Sequence, residues 1–185
     1  MLSDFVTQKL TRLFHLLDTN KNGVLEQADY DRAIRNLAAA YDVKPGSAAF
    51  TSLRQKALVL WEDVADKDRS GDGRIPLEDW LVAHDKLHGP DRAEEFKDHL
   101  AERAMATFEL MDPDGNSRIL LEDLQAYVQA RFGLSEAPWV AEAFSRMDVD
   151  GNGFLTFAEA IRMEIEYHFS EDPKDAGNYL YGAQL

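Results

Sequence analysis

Residues 148–159 of this 185-residue chain read DVDGNGFLTFAE, and this stretch decides the fold. Side chains that carry oxygen stand at its positions 1, 3 and 5, and Gly153 permits a sharp turn at position 6. A hard dication such as Ca²⁺ takes a shell of about six to eight oxygens, which requires such fixed spacing. Position 7 adds a backbone carbonyl, and the carboxylate at position 12 can bind through both oxygens. The stretch therefore predicts a metal-binding loop with the ligands Asp148, Asp150, Asn152, Phe154 and Glu159.

The same 12-residue pattern recurs at three earlier places, which begin at Asp18, Asp68 and Asp112. The flanking segments carry apolar residues at the spacing of amphipathic helices. A helix, such a loop and a second helix form an EF-hand, so the sequence predicts four EF-hands. The alternative, an acidic surface turn without an ion, becomes less tenable with each copy. The predicted ligands in the three earlier loops are Asp18, Asn20, Asn22, Val24, Glu26 and Asp29; Asp68, Ser70, Asp72, Arg74 and Asp79; and Asp112, Asp114, Asn116, Arg118 and Asp123.

The last ligand differs between the loops. Asp29, Asp79 and Asp123 close the first three loops, whereas Glu159 closes the fourth. Because aspartate is one methylene shorter, it must draw its helix closer to the ion or bind through one oxygen. A smaller shell with fewer oxygens favours Mg²⁺ relative to Ca²⁺. We therefore expect Mg²⁺ to compete at the sites closed by aspartate, and the fourth hand to discriminate best between the two ions.

Two loops depart from the pattern at other positions. Ser117 stands at position 6 of the third loop, where a positive φ costs a residue with a Cβ about 1 kcal/mol. Leu120 and Pro76, at position 9 of the third and second loops, have no side-chain oxygen. A second-loop frame that starts at Asp66 is rejected because it puts Gly73 at the apolar position 8. We expect up to four Ca²⁺ ions. The third site is the least certain, and a vestigial loop kept only for pairing is its alternative.

Position 8 predicts how the hands pair. Its apolar residue sits on a short strand that needs a partner strand, so Leu25 should pair with Ile75, and Ile119 with Leu155. The predicted class is all-α, with four EF-hands in two pairs joined by two-stranded β-links. We assign an N-terminal pair to residues 1–89 and a C-terminal pair to residues 90–169, with the break at Gly89-Pro90. The tail, residues 170–185, is too apolar to stay in water and should fold back on the body.

Composition excludes several classes of function. The net charge of −14 argues against a nucleic-acid partner, because a polyanion would be repelled. The absence of cysteine excludes disulfides, thiolate catalysis and zinc–thiolate sites. No stretch has the length and apolarity of a membrane span, and the N-terminal segment lacks the features of a signal peptide. The expected location is therefore the cytoplasm, and the expected state is a monomer.

With its four loops in place, the chain resembles the sarcoplasmic calcium-binding proteins and their bacterial relatives of the calerythrin type. The resemblance rests on the four hands, their unequal spacing, the long helix before the second loop, and a tail that reads YHFSEDP at 167–173 and GNYLYG at 177–182. It implies a compact body in which the two pairs pack together. It also implies a Ca²⁺ buffer or signal modulator without catalytic activity.

Two alternatives to a buffer stay open. A calcium sensor exposes a Met-rich groove to a protein target, and the five methionines of this chain are few for two such grooves. The coelenterazine-binding photoproteins share the body plan. Resemblance to them requires a histidine, a tryptophan and a tyrosine near the tail, where this chain has Glu164, His168 and Tyr181. Two of the three differ, so light emission is not expected.

Overall fold

The computed structural model describes residues 1–65, 71–134 and 137–182. Within them the chain forms eight α-helices, two short strands and a C-terminal 3₁₀ turn, which confirms the predicted all-α class. The elements are α1 (Asp4–Leu17), β1 (Val24–Leu25), α2 (Gln27–Ala40), α3 (Ala48–Ala65), β2 (Ile75–Pro76), α4 (Leu77–Leu87), α5 (Ala93–Met111), α6 (Leu121–Phe132), α7 (Trp139–Met147), α8 (Phe157–Phe169) and the 3₁₀ turn (Ala176–Tyr179).

The helices begin and end where local chemistry favours it. Ser3 caps α1 by accepting a hydrogen bond from the backbone N–H of Val6. Gly133 ends α6 with φ of +70°, a conformation that costs glycine little. The apolar residues spaced along α1 form its buried face, as their periodicity predicts: Val6, Leu10, Leu13, Phe14 and Leu17. Each loop thus lies between helices that are fixed by burial of one face.

Short strands join the loops in pairs. Strand β1 pairs antiparallel with β2, and Leu25 lies opposite Ile75. In the second pair of loops, the backbones of Ile119 and Leu155 exchange two hydrogen bonds, of 3.0 Å and 2.8 Å. The predicted partners are confirmed. All four side chains are buried, so each loop is anchored at position 8 to its partner and to the core.

The two pairs of hands pack against each other over a shared core. Helix α2 contacts α6, and α3 contacts α5, so both N-terminal helices meet C-terminal ones. The buried apolar side chains of all eight helices belong to one continuous cluster. The compact body is therefore as expected, with the pairs in contact rather than separated by an exposed helix. The exact division at residues 89 and 90 stays a prediction.

The end of the chain is attached to its beginning. Lys9 is fully buried, and its ammonium donates to the carbonyl of Ser170 at 2.7 Å and to Oδ1 of Asn178 at 2.9 Å. Burial lowers the pKa of Lys9 to about 8, although nearby carboxylates oppose the shift. Arg12 donates to the carbonyl of Tyr181, whose ring is buried. Residues 170–182 therefore lie against α1 and α8, and the last three residues of the predicted tail lie outside the described part of the chain.

Candidate metal centres

The fourth loop, residues 148–159, is folded around its first carboxylate. The backbone N–H groups of Asn152 and Gly153 donate to the two oxygens of Asp148, at 3.0 Å and 2.9 Å. Gly153 has φ of +86°, which supplies the sharp turn. Asp148, Asp150 and Glu159 each have a carboxylate oxygen within 4.8 Å of the others. These three oxygens lie close enough to share one cation, and the loop geometry therefore fits the predicted ligand set.

Glu159 is held in place by neutral donors. One of its oxygens accepts from the backbone N–H and the hydroxyl of Thr156, at 2.9 Å and 2.8 Å. The other accepts from the N–H of Val149 at 3.2 Å. Thr156 in turn caps α8 by accepting from the N–H of Glu159, which completes a reciprocal capping box. The closing carboxylate of hand 4 is thus oriented toward the loop by the start of its own helix.

Hands 1 and 3 repeat this backbone geometry. The two oxygens of Asp18 accept from the N–H groups of Asn22 at 3.1 Å and Gly23 at 2.9 Å. In hand 3 the same bonds run to Asp112 from the N–H groups at positions 5 and 6, at 3.0 Å and 2.9 Å. Both loops therefore fold around their first carboxylate, as hand 4 does. Their remaining predicted ligands are Asn20, Val24, Glu26 and Asp29 in hand 1, and Asp114, Asn116, Arg118 and Asp123 in hand 3.

A second bond recurs in all four loops. The N–H at position 7 donates to the side-chain oxygen at position 5, with distances of 3.0 Å for Val24, 3.0 Å for Arg74, 2.8 Å for Arg118 and 3.0 Å for Phe154. This bond sets the direction of the position-7 carbonyl that each loop offers. Hand 2 thus shares the geometry in its described half, which includes Asp72, Arg74 and Asp79. Its predicted ligands Asp68 and Ser70 lie outside the described residues.

Hand 2 lacks one backbone hydrogen bond that the other three hands have. In hands 1, 3 and 4 the N–H at position 9 donates to the closing carboxylate, as from Glu26 to Asp29 at 3.0 Å and from Leu120 to Asp123 at 2.8 Å. Pro76 occupies this position in hand 2 and has no N–H. The closing Asp79 of hand 2 is nonetheless buried, at 5% exposure.

The hands differ in how close their carboxylates lie to one another. Across residues 1–65, 71–134 and 137–182, hand 4 alone brings three carboxylates within 4.8 Å of one another. Hand 3 also has three aspartates, but its closing residue is Asp123, with the shorter side chain. Ser117 has φ of +61°, the strained conformation expected at position 6. Among hands 1, 3 and 4, whose loops are described in full, hand 4 therefore brings its acids closest together. That hand 3 is the weakest site stays a prediction.

Relief of this strain should be measurable. Ser117→Gly is expected to stabilise the chain by roughly 0.5–1 kcal/mol, since glycine tolerates a positive φ. Urea unfolding in the presence of a chelator measures the change without any contribution from bound metal. Ser145→Gly, in the last turn of α7, is the control and should destabilise the chain, because glycine is a poor helix former. A Ser117→Gly variant that is less stable than the unsubstituted chain contradicts this account.

Two features were not foreseen from the sequence. The first is a pair of arginines at hand 1: Arg32 lies 3.1 Å from a carboxylate oxygen of Asp29, and Arg74 lies 3.4 Å from one of Glu26. The first contact follows helical i, i+3 spacing and was visible in the sequence. The second joins two loops and had no local signal.

The second feature is a buried polar cluster of Arg103, Glu164 and Tyr181. Glu164 accepts from the hydroxyl of Tyr181 at 2.8 Å and from the guanidinium of Arg103. All three side chains are nearly inaccessible, and burial raises the pKa of Tyr181 above its usual range. Arg103 and Tyr181 line a cavity of about 30 Å³ between the two pairs of hands. Of the residues considered for a photoprotein-like site, His168 lines the same cavity.

Comparison with known proteins agrees with this geometry. No family model matches the chain. Calerythrin from Saccharopolyspora erythraea is 26% identical over 170 residues, which cover 91% of this chain and 95% of calerythrin. This chain has the EF-hand fold and is similar to calerythrin. The resemblance expected from the loops and the tail is thus confirmed.

Solved structures show the same fold as this EF-hand protein. A Streptomyces coelicolor calcium-binding protein has a TM-score of 0.74 and 24% identity, and the match covers 88% of this chain and 97% of that one. The sarcoplasmic calcium-binding protein from amphioxus has a TM-score of 0.69 and 21% identity, and it matches over the full length of both chains. An apo-aequorin complex has a TM-score of 0.78 and 20% identity over 97% and 91%. Within the described residues, no helix combines the length and apolarity needed to cross a bilayer.

Proposed function

We propose that this EF-hand protein binds Ca²⁺ through its loops and acts as a cytoplasmic calcium buffer without catalytic activity. The observation that carries the proposal is the set of carboxylate oxygens from Asp148, Asp150 and Glu159 within 4.8 Å of one another. Hard oxygen ligands of this kind at this spacing suit Ca²⁺. The loops of hands 1 and 3 and the described half of hand 2 have the same backbone bonds, and these loops supply further sites. The aspartates that close these loops admit Mg²⁺ as a competitor.

Burial of three of the five methionines supports a buffer over a sensor. Met111, Met147 and Met163 are all packed in the core, with at most 7% exposure. Within the described residues, the buried apolar side chains of the two pairs pack into one cluster, as in a filled core. A sensor is the second candidate, since the Streptomyces coelicolor protein of this fold is described as acting in calcium-mediated regulation. Opening of this core by Ca²⁺ is the property that separates the two roles.

Space disfavours a role as a carrier of a large apolar ligand in the cavity between the pairs. The cavity between the pairs measures about 30 Å³. Pockets that enclose drug-sized molecules are roughly ten times larger or more. The ion pair of Arg103 with Glu164 occupies the centre of the body, where such a ligand would need apolar surface. The likeness to apo-aequorin therefore concerns the fold.

Calorimetric titration tests the proposal. We expect up to four Ca²⁺ ions per chain, with the tightest phase from hand 4 and with millimolar Mg²⁺ weakening the other phases more than this one. An environment-sensitive apolar dye reports the response: a buffer should show unchanged or lower dye fluorescence on adding Ca²⁺. A large rise in dye fluorescence supports the sensor instead. Equilibrium dialysis that recovers no retained calcium up to millimolar concentration contradicts calcium binding altogether.

A further inference from the structure

Hand 1 contains a cation that faces its own closing ligand. Arg32 lies three residues after Asp29 in α2, and its guanidinium is 3.1 Å from Oδ1 of that aspartate. The same nitrogen donates to the hydroxyl of Thr19 at 2.8 Å, which fixes the direction of the arginine. Asn20 also donates to Oδ1, at 3.3 Å. Asp29 itself is only 2% exposed, so this carboxylate is buried with a positive partner.

Hand 4 has an arginine at the same place but uses it differently. Arg162 follows Glu159 by three residues, as Arg32 follows Asp29. Its Nε lies 3.6 Å from Glu166, one turn further along α8. The residue one turn after Arg32 is Asn36, which carries no charge. The sequence explains this difference. Arg162 can pair with Glu166, four residues later on its helix, whereas the only acid at helical spacing from Arg32 is the preceding Asp29.

A second arginine acts on the other acid in this half of loop 1. Glu26, at position 9, lies 3.4 Å from Nε of Arg74, which stands at position 7 of hand 2. Both acids in the last four positions of loop 1 therefore have guanidinium partners. At hand 4 the donors to Glu159 are backbone N–H groups and a hydroxyl, all neutral. The two hands differ in the charge near the metal position and not only in the length of the closing residue.

We propose that Arg32 competes with the metal ion for Asp29 and thereby sets the calcium affinity of hand 1 below that of hand 4. The inference rests on the proposed function. A dication bound by Asp29 is repelled by the neighbouring guanidinium, whether or not the ion pair persists after binding. Any loosening of the pair also removes a charge-assisted hydrogen bond. Both effects weaken calcium binding at hand 1. The arginine side chain is 39% exposed, so solvent screening limits its effect to a modest factor.

The test compares Arg32→Gln with the matched control Arg162→Gln. The amide resonances of Gly23 and Gly153 report on hands 1 and 4 separately, since these N–H groups donate to Asp18 and Asp148. For Arg32→Gln we expect the calcium midpoint at Gly23 to fall about three- to tenfold while that at Gly153 stays unchanged. Arg162→Gln should leave the midpoint at Gly23 unchanged. Arg32→Lys keeps the charge but loses the planar fork, so its midpoint should lie between those of Arg32→Gln and the unsubstituted chain.

Failure of the role proposed for Arg32 can be distinguished from failure of calcium binding. A folded Arg32→Gln variant whose Gly23 midpoint is unchanged or higher overturns the role of Arg32 while leaving calcium binding intact. Helical circular dichroism in chelator establishes that the variant is folded. If Ca²⁺ moves neither glycine resonance in the unsubstituted protein, the proposed function fails instead. An equal fall of the Gly23 midpoint in Arg162→Gln also overturns the inference, because it would reflect general charge rather than the contact with Asp29.

Discussion

Glu159→Gln is expected to weaken calcium binding at the fourth hand by roughly 100-fold, which corresponds to about 2.7 kcal/mol. Glu159 supplies the closing negative charge and can offer two oxygens to the ion, whereas glutamine offers one neutral oxygen. The helix start should survive, because the amide oxygen of glutamine can still accept from the N–H of Thr156, now 2.9 Å from the carboxylate. Calorimetry should therefore show the loss of the tightest phase, with little change in chain stability in chelator.

A matched control lies on the helix before the same loop. Glu142 is about half exposed and lies 3.6 Å from Arg146, away from the predicted ligands. Glu142→Gln removes the same charge and should leave the calcium phases almost unchanged. If both variants weaken binding equally, general electrostatic attraction accounts for the affinity. If Glu159→Gln retains the tightest phase in full, residue 159 is not a ligand and the assignment of hand 4 is wrong.

Local spacing explains which features could be predicted from the sequence. A loop of fixed length places its ligands by backbone geometry alone, so Asp148 and Glu159 could be assigned without knowledge of the fold. The strand partners, such as Leu25 and Ile75, followed because position 8 is apolar in every loop. The positive φ of Ser117 followed from its place at position 6. These predictions depend on residues within one loop or on the rule that loops pair.

The features that were missed depend on distant parts of the chain. Arg103 and Glu164 are 61 residues apart, and Tyr181 joins them from the tail. In an amphipathic pattern, a charged residue is normally assigned to the solvent face. Arg103 and Glu164 become buried only when the two pairs of hands and the tail pack together. The contact between Arg74 and Glu26 was missed for a related reason, since Arg74 reaches Glu26 from the neighbouring loop. The contact between Arg32 and Asp29 is local, and its spacing was available in the sequence.

Glu164→Leu should destabilise the chain by about 3–5 kcal/mol, because it leaves the guanidinium of Arg103 buried without its carboxylate. Arg103 is 5% exposed and Glu164 is 7% exposed, so bulk solvent does not replace the lost partner directly. The hydroxyl of Tyr181 also loses its acceptor. Urea unfolding in chelator measures the loss, and the same experiment in saturating Ca²⁺ shows how much of it bound metal offsets.

The double variant Arg103→Met/Glu164→Leu is the control for this prediction. Removing both charges eliminates the cost of burying them, so the double variant should regain most of the stability lost by the single variant. A single variant within about 1 kcal/mol of the unsubstituted chain would mean that Arg103 finds solvent or another acceptor. A double variant that stays as unstable as the single one would assign the loss to packing around residue 164. Recovery of stability with increased apolar-dye binding would show that the ion pair serves chiefly to hold Tyr181 and the tail closed over the core.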